Sequence, residues 1–403
     1  MRDVASPRQI VALNFAAMTQ HGIILLLVGP MIPNIMASFG IGESLAGLLL
    51  AMGSLGFVSG PLIAGAIIDR VGVRAALAVG FGVEIVILGV YGLSPLFAIA
   101  VAAHFVLLFG SSFIETSANV MPTLAALRRP AHAVMSLVHT FFSIGAFVGP
   151  FLIGLYLQAT GEWRPVMFFA LIPTGVLLTW TLTTRFPARA ATARGASVKQ
   201  ASTHRRPLAN LGAVIGKRYV VLGALTLMLY VGAEVGLSSW VVYYLQRQLG
   251  MSAVASASGL SILWIFIMIG RLANSVLGNR MSSLALVTGS GIAGAAGVAG
   301  FLLARDALAA YALLAWIGLC LSGVFPNVMG ELNRRDPALT GTVTAVMAMG
   351  AAIGAGSSQW LLGFLAEHVS LPVAFAAPAL FQLLVVVVYR AAVRAAARTE
   401  VGM

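Results

Sequence analysis

The chain has 403 residues, of which 60% are hydrophobic and only 9% are charged. A soluble protein of this length needs far more polar surface to cover its core, so the composition excludes an ordinary soluble domain. A membrane protein that crosses the bilayer many times needs no such surface, because lipid is its solvent. The net charge of +12 would suit a nucleic-acid partner, but the distribution of the basic residues gives another explanation.

Twelve apolar runs of about 20–30 residues follow one another along the chain, each long enough to cross roughly 30 Å of hydrocarbon. They predict an all-α polytopic membrane protein with 12 transmembrane helices. The first run is too long for a cleaved signal peptide and does not end in a small-residue cleavage site, so we expect it to be retained. The predicted spans are 9–38, 44–68, 73–93, 96–127, 131–159, 163–185, 217–247, 254–278, 281–303, 307–333, 338–368 and 370–395.

The basic residues lie on one side of this arrangement. With the N-terminus placed in the cytoplasm, 20 of the 24 Lys and Arg residues fall in cytoplasmic segments. Arg164, Arg247 and Arg305 fall in outer loops, and Arg271 lies inside the eighth span. This asymmetry follows the positive-inside rule. It predicts that both termini are cytoplasmic, in the inner (plasma) membrane of a bacterium, and it requires no nucleic-acid partner.

The polar interval 186–216 is the longest between two spans, and it divides them six and six. We therefore predict an N-terminal six-helix half over 1–185, a cytoplasmic linker over 186–216 and a C-terminal six-helix half over 217–403.

The two predicted halves repeat each other at an offset of about 210 residues. "SFGIGESLAGLLLAMGSLGFVSGPL" aligns with "QLGMSAVASASGLSILWIFIMIGRL", which places Gly40 on Gly250 and Gly60 on Gly270. "NVM" at 119–121 recurs in the second half, and each copy is followed by a basic pair. Two similar halves that rock about a central site are typical of a transporter.

The loop after the second span reads "GAIIDRVGVR", which has the pattern G-x-x-x-D-R-x-G-x-R. It strongly resembles the signature between the second and third helices of the major facilitator superfamily. The resemblance covers the whole chain and implies the major facilitator fold, with two pseudo-symmetric six-helix halves. It also implies that this loop is a conformational latch that holds the outward-facing state, and that Gly65 permits close helix contact. The latch residues would be Gly65, Asp69, Arg70, Gly72 and Arg74.

Two further stretches resemble the fucose permease-like sugar:proton symporters. "LYVGAEVGLSSWVVYYL" in the seventh span resembles their Y-x-G-A-E-V segment. "FIETSANVMPT" in the fourth span resembles their E-T-x-A-N-P segment, where Asn119 matches and Pro122 comes two residues late. The resemblance implies a sugar as substrate and a fourth-span acid, here Glu115, as the proton carrier. The chain differs from some members in its first span, which reads "LLLVGPMIPNI" and has no aspartate there.

Polar residues fall near the middle of several predicted spans. At 1.5 Å per residue, Glu234 lies about 20–24 Å from each end of its span, and Glu115 and His21 lie at similar depths. In this superfamily the first, fourth, seventh and tenth helices line the cavity. We therefore expect a site in which carboxylate and amide groups bind a hydroxyl-rich solute and aromatic rings stack on it. The predicted substrate-binding residues are Gln20, His21, Asn119, His139, Glu234, Trp240, Asn327 and Trp360.

Several of these assignments have a structural alternative. Glu115 or Glu234 could simply hydrogen-bond to a neighbouring helix. We read Glu84 as a structural partner of a neighbouring helix and Arg271 as part of a structural pair on the cytoplasmic side. We expect Glu331 to pair with one of the two arginines that follow it. No cluster of side chains has the spacing of a metal site, so we expect no metal and no cofactor.

Together these features predict a monomeric secondary active transporter that moves a sugar or sugar-like metabolite, coupled to protons, by alternating access. The alternative is an efflux antiporter of the same fold, which the string "GAFVGPFLIG" in the fifth span favours. A membrane sensor would need a soluble domain that neither the linker nor the tails provide. We do not expect an enzyme, because the sequence has no phosphate loop and no nucleophile elbow.

Overall fold

The computed structural model describes residues 6–124, 131–186, 211–277, 281–336 and 339–401. Within these ranges every regular element is helical. Twelve segments of the described chain are long and apolar enough to cross a membrane, which confirms the number and order of the predicted spans. In chain order, the spans are Pro7–Phe39, Glu43–Arg70, Val73–Gly92, Phe97–Pro122, Leu137–Thr160, Arg164–Thr183, Arg218–Leu249, Ala253–Asn274, Ser283–Leu303, Ala307–Asn333, Thr340–His368 and Leu371–Arg398.

Three of the spans are broken into two helices. The first consists of Pro7–Leu25 and Ile32–Phe39, with a short 3-10 turn at Gly29–Met31 between them. The second consists of Glu43–Ser59 and Pro61–Arg70. Proline explains both breaks, because it has no backbone N–H and clashes with the preceding turn of a helix. The tenth span consists of Ala307–Leu321 and Val324–Asn333.

The other helices are continuous. They include Phe97–Leu124, Ala131–Thr160, Ala253–Leu277 and Leu371–Val401. A short helix, Leu211–Ile215, precedes the seventh span. Large apolar side chains on the spans, such as Leu62, Ile172 and Val387, are more than half exposed, as expected where helices face lipid.

The chain divides into two compact units. Unit 1 consists of Met1–Arg189 and Ser239–Ile265, and unit 2 consists of Ala190–Ser238 and Phe266–Met403. The C-terminal part of the seventh span and the N-terminal part of the eighth therefore belong to unit 1. The division of the chain at 186–216 that the sequence suggests stays a prediction, because these units are defined by contacts and follow a different boundary.

Glycines allow two pairs of spans to pack closely, and the two contacts are alike. A Cβ at Gly145 in the fifth span would overlap the backbone oxygen of Thr19 in the first span. A Cβ at Gly350 in the eleventh span would overlap the backbone oxygen of Ala224 in the seventh. Small residues let membrane helices approach to backbone contact in this way. The first and fifth spans thus pack in unit 1 as the seventh and eleventh pack in unit 2.

A second contact repeats at the offset predicted from the sequence. Gly60 in the second span lies against the hydroxyl of Ser112 in the fourth. Gly270 in the eighth span lies against the hydroxyl of Ser322 in the tenth. Each serine donates its hydroxyl to a backbone oxygen three residues earlier, at 2.7 and 2.6 Å. The internal repeat is therefore visible in the packing as well as in the sequence.

Candidate functional site

A buried hydrogen-bonded group in unit 1 joins three spans. Gln20 of the first span donates its side-chain amide to Glu84 Oε2 of the third at 3.0 Å and to Thr174 Oγ1 of the sixth at 2.8 Å. Glu84 and Thr174 have no exposed surface, and Gln20 is 3% exposed. A buried carboxylate needs such donors because lipid and apolar side chains offer none. The reading of Glu84 as a partner of a neighbouring helix is confirmed, and its partner is a residue that we assigned to substrate binding.

The neighbouring residue His21 is also buried, and its side chain already contacts other residues of unit 1. Its Nδ1 lies 2.8 Å from the hydroxyl of Ser111 in the fourth span. The imidazole also contacts two aromatic rings, with its centroid 5.9 Å from that of Phe57 and 5.5 Å from that of Phe142. Since only 1% of His21 is exposed, a solute would reach it only after these groups move apart.

Glu115 lies one helical turn after Ser111 and is less deeply enclosed than the residues just described. It is only half-buried, as is Asn119 one turn further on. Among the described residues, the Oδ1 atom of Asn119 is buried without a hydrogen-bond partner. A polar face therefore runs along the fourth span as its i, i+4 spacing predicts, and it carries hydrogen-bonding capacity that the surrounding protein does not use.

Unit 2 contains the other central acid. Glu234 of the seventh span is 7% exposed, and its Oε1 lies 3.6 Å from the guanidinium of Arg271 in the eighth span. Tyr230, one turn before Glu234, donates its hydroxyl to the backbone oxygen of Leu321 at 2.8 Å. The expectation that Arg271 forms a pair is confirmed, and its partner is the acid in the middle of the seventh span. That the pair lies on the cytoplasmic side stays a prediction.

Trp240 and Tyr243 do not form an exposed platform for a ligand. Trp240 has no exposed surface, and its ring meets that of Tyr243 edge-on at 5.7 Å. Tyr243 is 3% exposed and donates its hydroxyl to Glu43 of the second span. Arg247 lies over the Tyr243 ring, with 5.7 Å between the guanidinium carbon and the ring centroid. All of these contacts lie within unit 1. Stacking of either ring on a sugar would require these contacts to rearrange.

The remaining predicted binding residues are dispersed. Asn327 is half-buried and donates its amide to the backbone oxygen of Gly323, one turn earlier, at 2.7 Å. Trp360 is 44% exposed and stacks on Phe364 at 5.3 Å. His139 is half-buried on the fifth span. The structure thus places Gln20, His21, Asn119, His139 and Trp240 in unit 1, and Glu234, Asn327 and Trp360 in unit 2.

The loop between the second and third spans differs from expectation at one residue. A Cβ at Gly65 would meet no described atom within 4 Å, so the close helix contact expected there is not formed. Gly72 has φ +108°, a conformation that side-chain-bearing residues rarely adopt. Arg74 donates to the backbone oxygen of Leu182 at the end of the sixth span. Asp69 and Arg70 are exposed at the end of the second span.

The sequence did not identify three groups that the structure places beside the predicted residues. Thr174 and Ser111 are small hydroxyl residues inside apolar spans, and nothing in the sequence distinguishes them from other serines and threonines. Arg271 did carry a signal, because it is a cation inside a span. In the described ranges, no three His, Cys, Asp or Glu residues are grouped closely enough to hold a metal ion.

The model of the Major Facilitator Superfamily matches residues 11–359. The chain belongs to this superfamily and is a multi-pass membrane protein, as its repeated halves and twelve spans indicate.

Individual relatives are more distant. A "Putative glucose/galactose transporter" of Helicobacter pylori is 27% identical over 138 residues, which span 34% of each chain. An uncharacterized MFS-type transporter of Yersinia pestis is 24% identical over 376 residues, or 91% of each chain. The aligned region thus spans about a third of the Helicobacter relative and almost all of the Yersinia one.

Solved structures of the same fold cover nearly the entire chain. The nucleoside transporter NupG, solved as a mutant, superposes with a TM-score of 0.79 at 13% identity, over 96% of this chain and 99% of that one. A D-xylose-proton symporter gives 0.73 at 14% identity, over 95% and 97%. The Escherichia coli fucose:proton symporter FucP, also a mutant, gives 0.62 at 17% identity, over 96% and 99%. At these identities the similarity shows the fold alone.

Proposed function

We propose that the protein is a secondary active transporter that moves a small polar solute, a sugar or sugar-like metabolite, by alternating access coupled to protons. One observation carries the proposal: the described spans contain two carboxylates, Glu115 and Glu234. An apolar residue at either position would cost less free energy in the membrane. Ionisable residues inside membrane spans usually mark a substrate or proton pathway. The fold, the family and the sugar and nucleoside transporters among its relatives support the same function.

The two acids would have different roles. Glu115 lies on a polar helix face where the buried Oδ1 of Asn119 has no partner among the described residues, so protonation there can change hydrogen bonds available to a solute. We assign the proton to Glu115 and substrate binding to Glu234. Because of the charge asymmetry of its loops, we place the chain in the inner (plasma) membrane of a bacterium, with both termini cytoplasmic, as a monomer that binds protons, a small solute and lipid.

The test compares Glu115→Gln with Glu234→Gln in proteoliposomes. A thermal-shift screen of sugars, sugar acids, nucleosides and cationic drugs selects the solute, because ligands that bind the folded state raise its apparent stability. Glutamine keeps the shape of glutamate but cannot release a proton. Glu115→Gln should lose accumulation driven by a pH gradient and keep exchange without a gradient. Glu234→Gln should weaken binding and reduce both.

Glu162→Gln, on the exposed turn before the sixth span, is the matched control and should behave as wild type. Accumulation by Glu115→Gln in response to a pH gradient would refute the proton assignment and make Glu234 the next candidate. Flux direction separates the proposal from the efflux alternative. Uptake of dye into inverted vesicles on acidification would favour efflux. The glycines of "GAFVGPFLIG" do not decide, since Gly145 and Gly149 pack against the first span.

A further inference from the structure

The ion pair between Arg271 and Glu234 leaves the arginine largely unused. The guanidinium of Arg271 lies 3.6 Å from Glu234 Oε1, which is too far for a hydrogen bond. Oε1 itself has no hydrogen-bond partner among the described residues. Arg271 makes no other ion pair and donates no hydrogen bond within the part of the chain that the structure describes. Its five N–H donors therefore remain available.

The direction of the side chain argues against a role at the membrane surface. Arg271 lies less than two turns before Leu277, where the described part of its helix ends. Long cationic side chains near a helix end usually extend outward to the lipid headgroups. Arg271 instead reaches Glu234, which lies about 24 Å along its helix from Arg218. The cation thus lies beside a buried acid of the seventh span and is not directed past the end of its own helix.

The Arg271 side chain is also partly accessible: it is 37% exposed, whereas that of Glu234 is 10% exposed. Charged side chains inside membrane proteins face water-filled space or other protein groups, because exposure to hydrocarbon is too costly. A partly accessible arginine with open donors and a counter-ion beyond hydrogen-bond distance has the properties of an anion-binding group. Its planar donor pairs match the two oxygens of a carboxylate.

We propose that Arg271 binds the carboxylate of an anionic, hydroxylated solute such as a sugar acid, while its counter-ion Glu234 accepts hydrogen bonds from the hydroxyl groups of the same solute. The inference rests on the proposed transport function and specifies its substrate class. The charges favour a monoanion. Arg271 and Glu234 together are neutral, so one negative charge with one proton restores neutrality, whereas a phosphate dianion would leave an uncompensated charge.

Matched ligand pairs test the proposal by binding to the purified protein in detergent. The pairs are D-glucose with D-glucuronate, D-galactose with D-galacturonate, and glycerol with glycerate; inorganic phosphate is the fourth probe. We expect at least one acid to bind with a dissociation constant at least tenfold lower than that of its neutral partner, and lower than that of phosphate. If no acid binds more tightly than its partner, or if phosphate binds most tightly, the proposal is wrong.

Variants assign the preference to Arg271. Arg271→Gln should remove the preference for the acid. Arg305→Gln, an exposed loop arginine, should keep it. Because the single change leaves Glu234 without its cation, the double variant Arg271→Gln/Glu234→Gln removes both charges and guards against misfolding. Arg271→Lys keeps the charge without the planar fork and should bind the acid at least several-fold more weakly. Survival of the full preference in any folded variant that lacks Arg271 would overturn the assignment.

Transport then separates this proposal from the function on which it rests. A monoanion that enters with one proton carries no net charge, so its accumulation should not respond to a potassium diffusion potential set with valinomycin. A neutral sugar that enters with one proton should respond. If a neutral sugar accumulates and no acid binds, the anion assignment fails while proton-coupled transport stands. If an acid binds through Arg271 but no pH gradient drives accumulation, the coupling fails and the assignment stands.

Discussion

The side-chain amide of Gln20 donates a hydrogen bond of 3.0 Å to Glu84, an acid with no exposed surface. Removal of the amide leaves a buried polar group without this donor, which costs about 1–3 kcal/mol. We expect Gln20→Leu to lower the free energy of unfolding by that amount, visible as a lower melting temperature in detergent. Gln248→Leu, at an exposed position, is the control and should have little effect. An unchanged melting temperature for Gln20→Leu would show that this hydrogen bond does not stabilise the fold.

The glycine that precedes the third span supports a second prediction. Gly72 has φ 108° and ψ 166°, a region that is almost exclusive to glycine and costs other residues about 1–3 kcal/mol. Gly72→Ala should destabilise the protein in a thermal melt. Gly82→Ala lies in the helix of the same span, where a Cβ meets no described atom within 4 Å. That control should be neutral or slightly stabilising, because alanine favours helix. Equal effects of the two changes would contradict the role of backbone conformation at Gly72.

The latch assignment predicts a defect in transport without a defect in folding. Asp69 is exposed at the end of the second span and is far in sequence from the central acids. We expect Asp69→Asn to be produced at normal levels but to have a severely reduced transport rate. The reason is that the loop would bias a conformational equilibrium and would not contact the solute. Initial rates in proteoliposomes, normalised to the amount of protein, measure this. A wild-type rate would rule out the latch in this chain.

The repeated glycine contacts predict matching effects in the two units. Gly145 and Gly350 each leave no room for a Cβ against a backbone oxygen of another span. Because backbone cannot shift as easily as a side chain, Gly145→Ala and Gly350→Ala should both lower the melting temperature. Gly175→Ala in the sixth span has open space and serves as control. If only one of the two contact glycines mattered, the contacts would not be energetically equivalent.

The charge asymmetry of the loops predicts a topology. In a Cys320→Ser background, Ser202→Cys should react with an impermeant thiol reagent only from the cytoplasm, and Glu162→Cys only from outside. Position 202 lies outside the described residues, whereas Glu162 is exposed. The background should stay folded, because serine is close to cysteine in size and Cys320 is a small buried residue. Labelling of both positions from one side would exclude the six-plus-six arrangement.

The sequence was sufficient to predict the number and order of the spans. A helix that crosses lipid needs a long apolar stretch, and such stretches are recognised from hydropathy alone. It also predicted the partners of Glu331, whose carboxylate oxygens lie 2.6 and 2.7 Å from Arg334 and Arg335. These pairs are three and four residues apart on one turn of chain, so local spacing determines them.

Contacts between distant spans could not be predicted in the same way. The sequence placed Gln20 in the binding site because it is a polar group within an apolar span. The structure shows that Gln20 donates a hydrogen bond to Glu84 of the third span, a contact that the sequence could not predict because it does not show which faces of two spans meet. Hydropathy shows which residues enter the membrane, but helix rotation decides which of them meet. The pairing of Arg271 with Glu234 was missed for the same reason.

The alignment of Gly60 with Gly270 places Pro61 opposite Arg271 in the two copies of the repeat. The glycines keep the same serine contact, while the next residue begins a helix in one copy and carries a cation in the other. Because the repeat provides two copies of each position, the glycine that packs was kept in both copies while the residue after it diverged. The two halves therefore share the helix packing at this position and differ in the chemistry of the next side chain. Exchanging Pro61 and Arg271 would show whether the arginine can perform the same role in the other half.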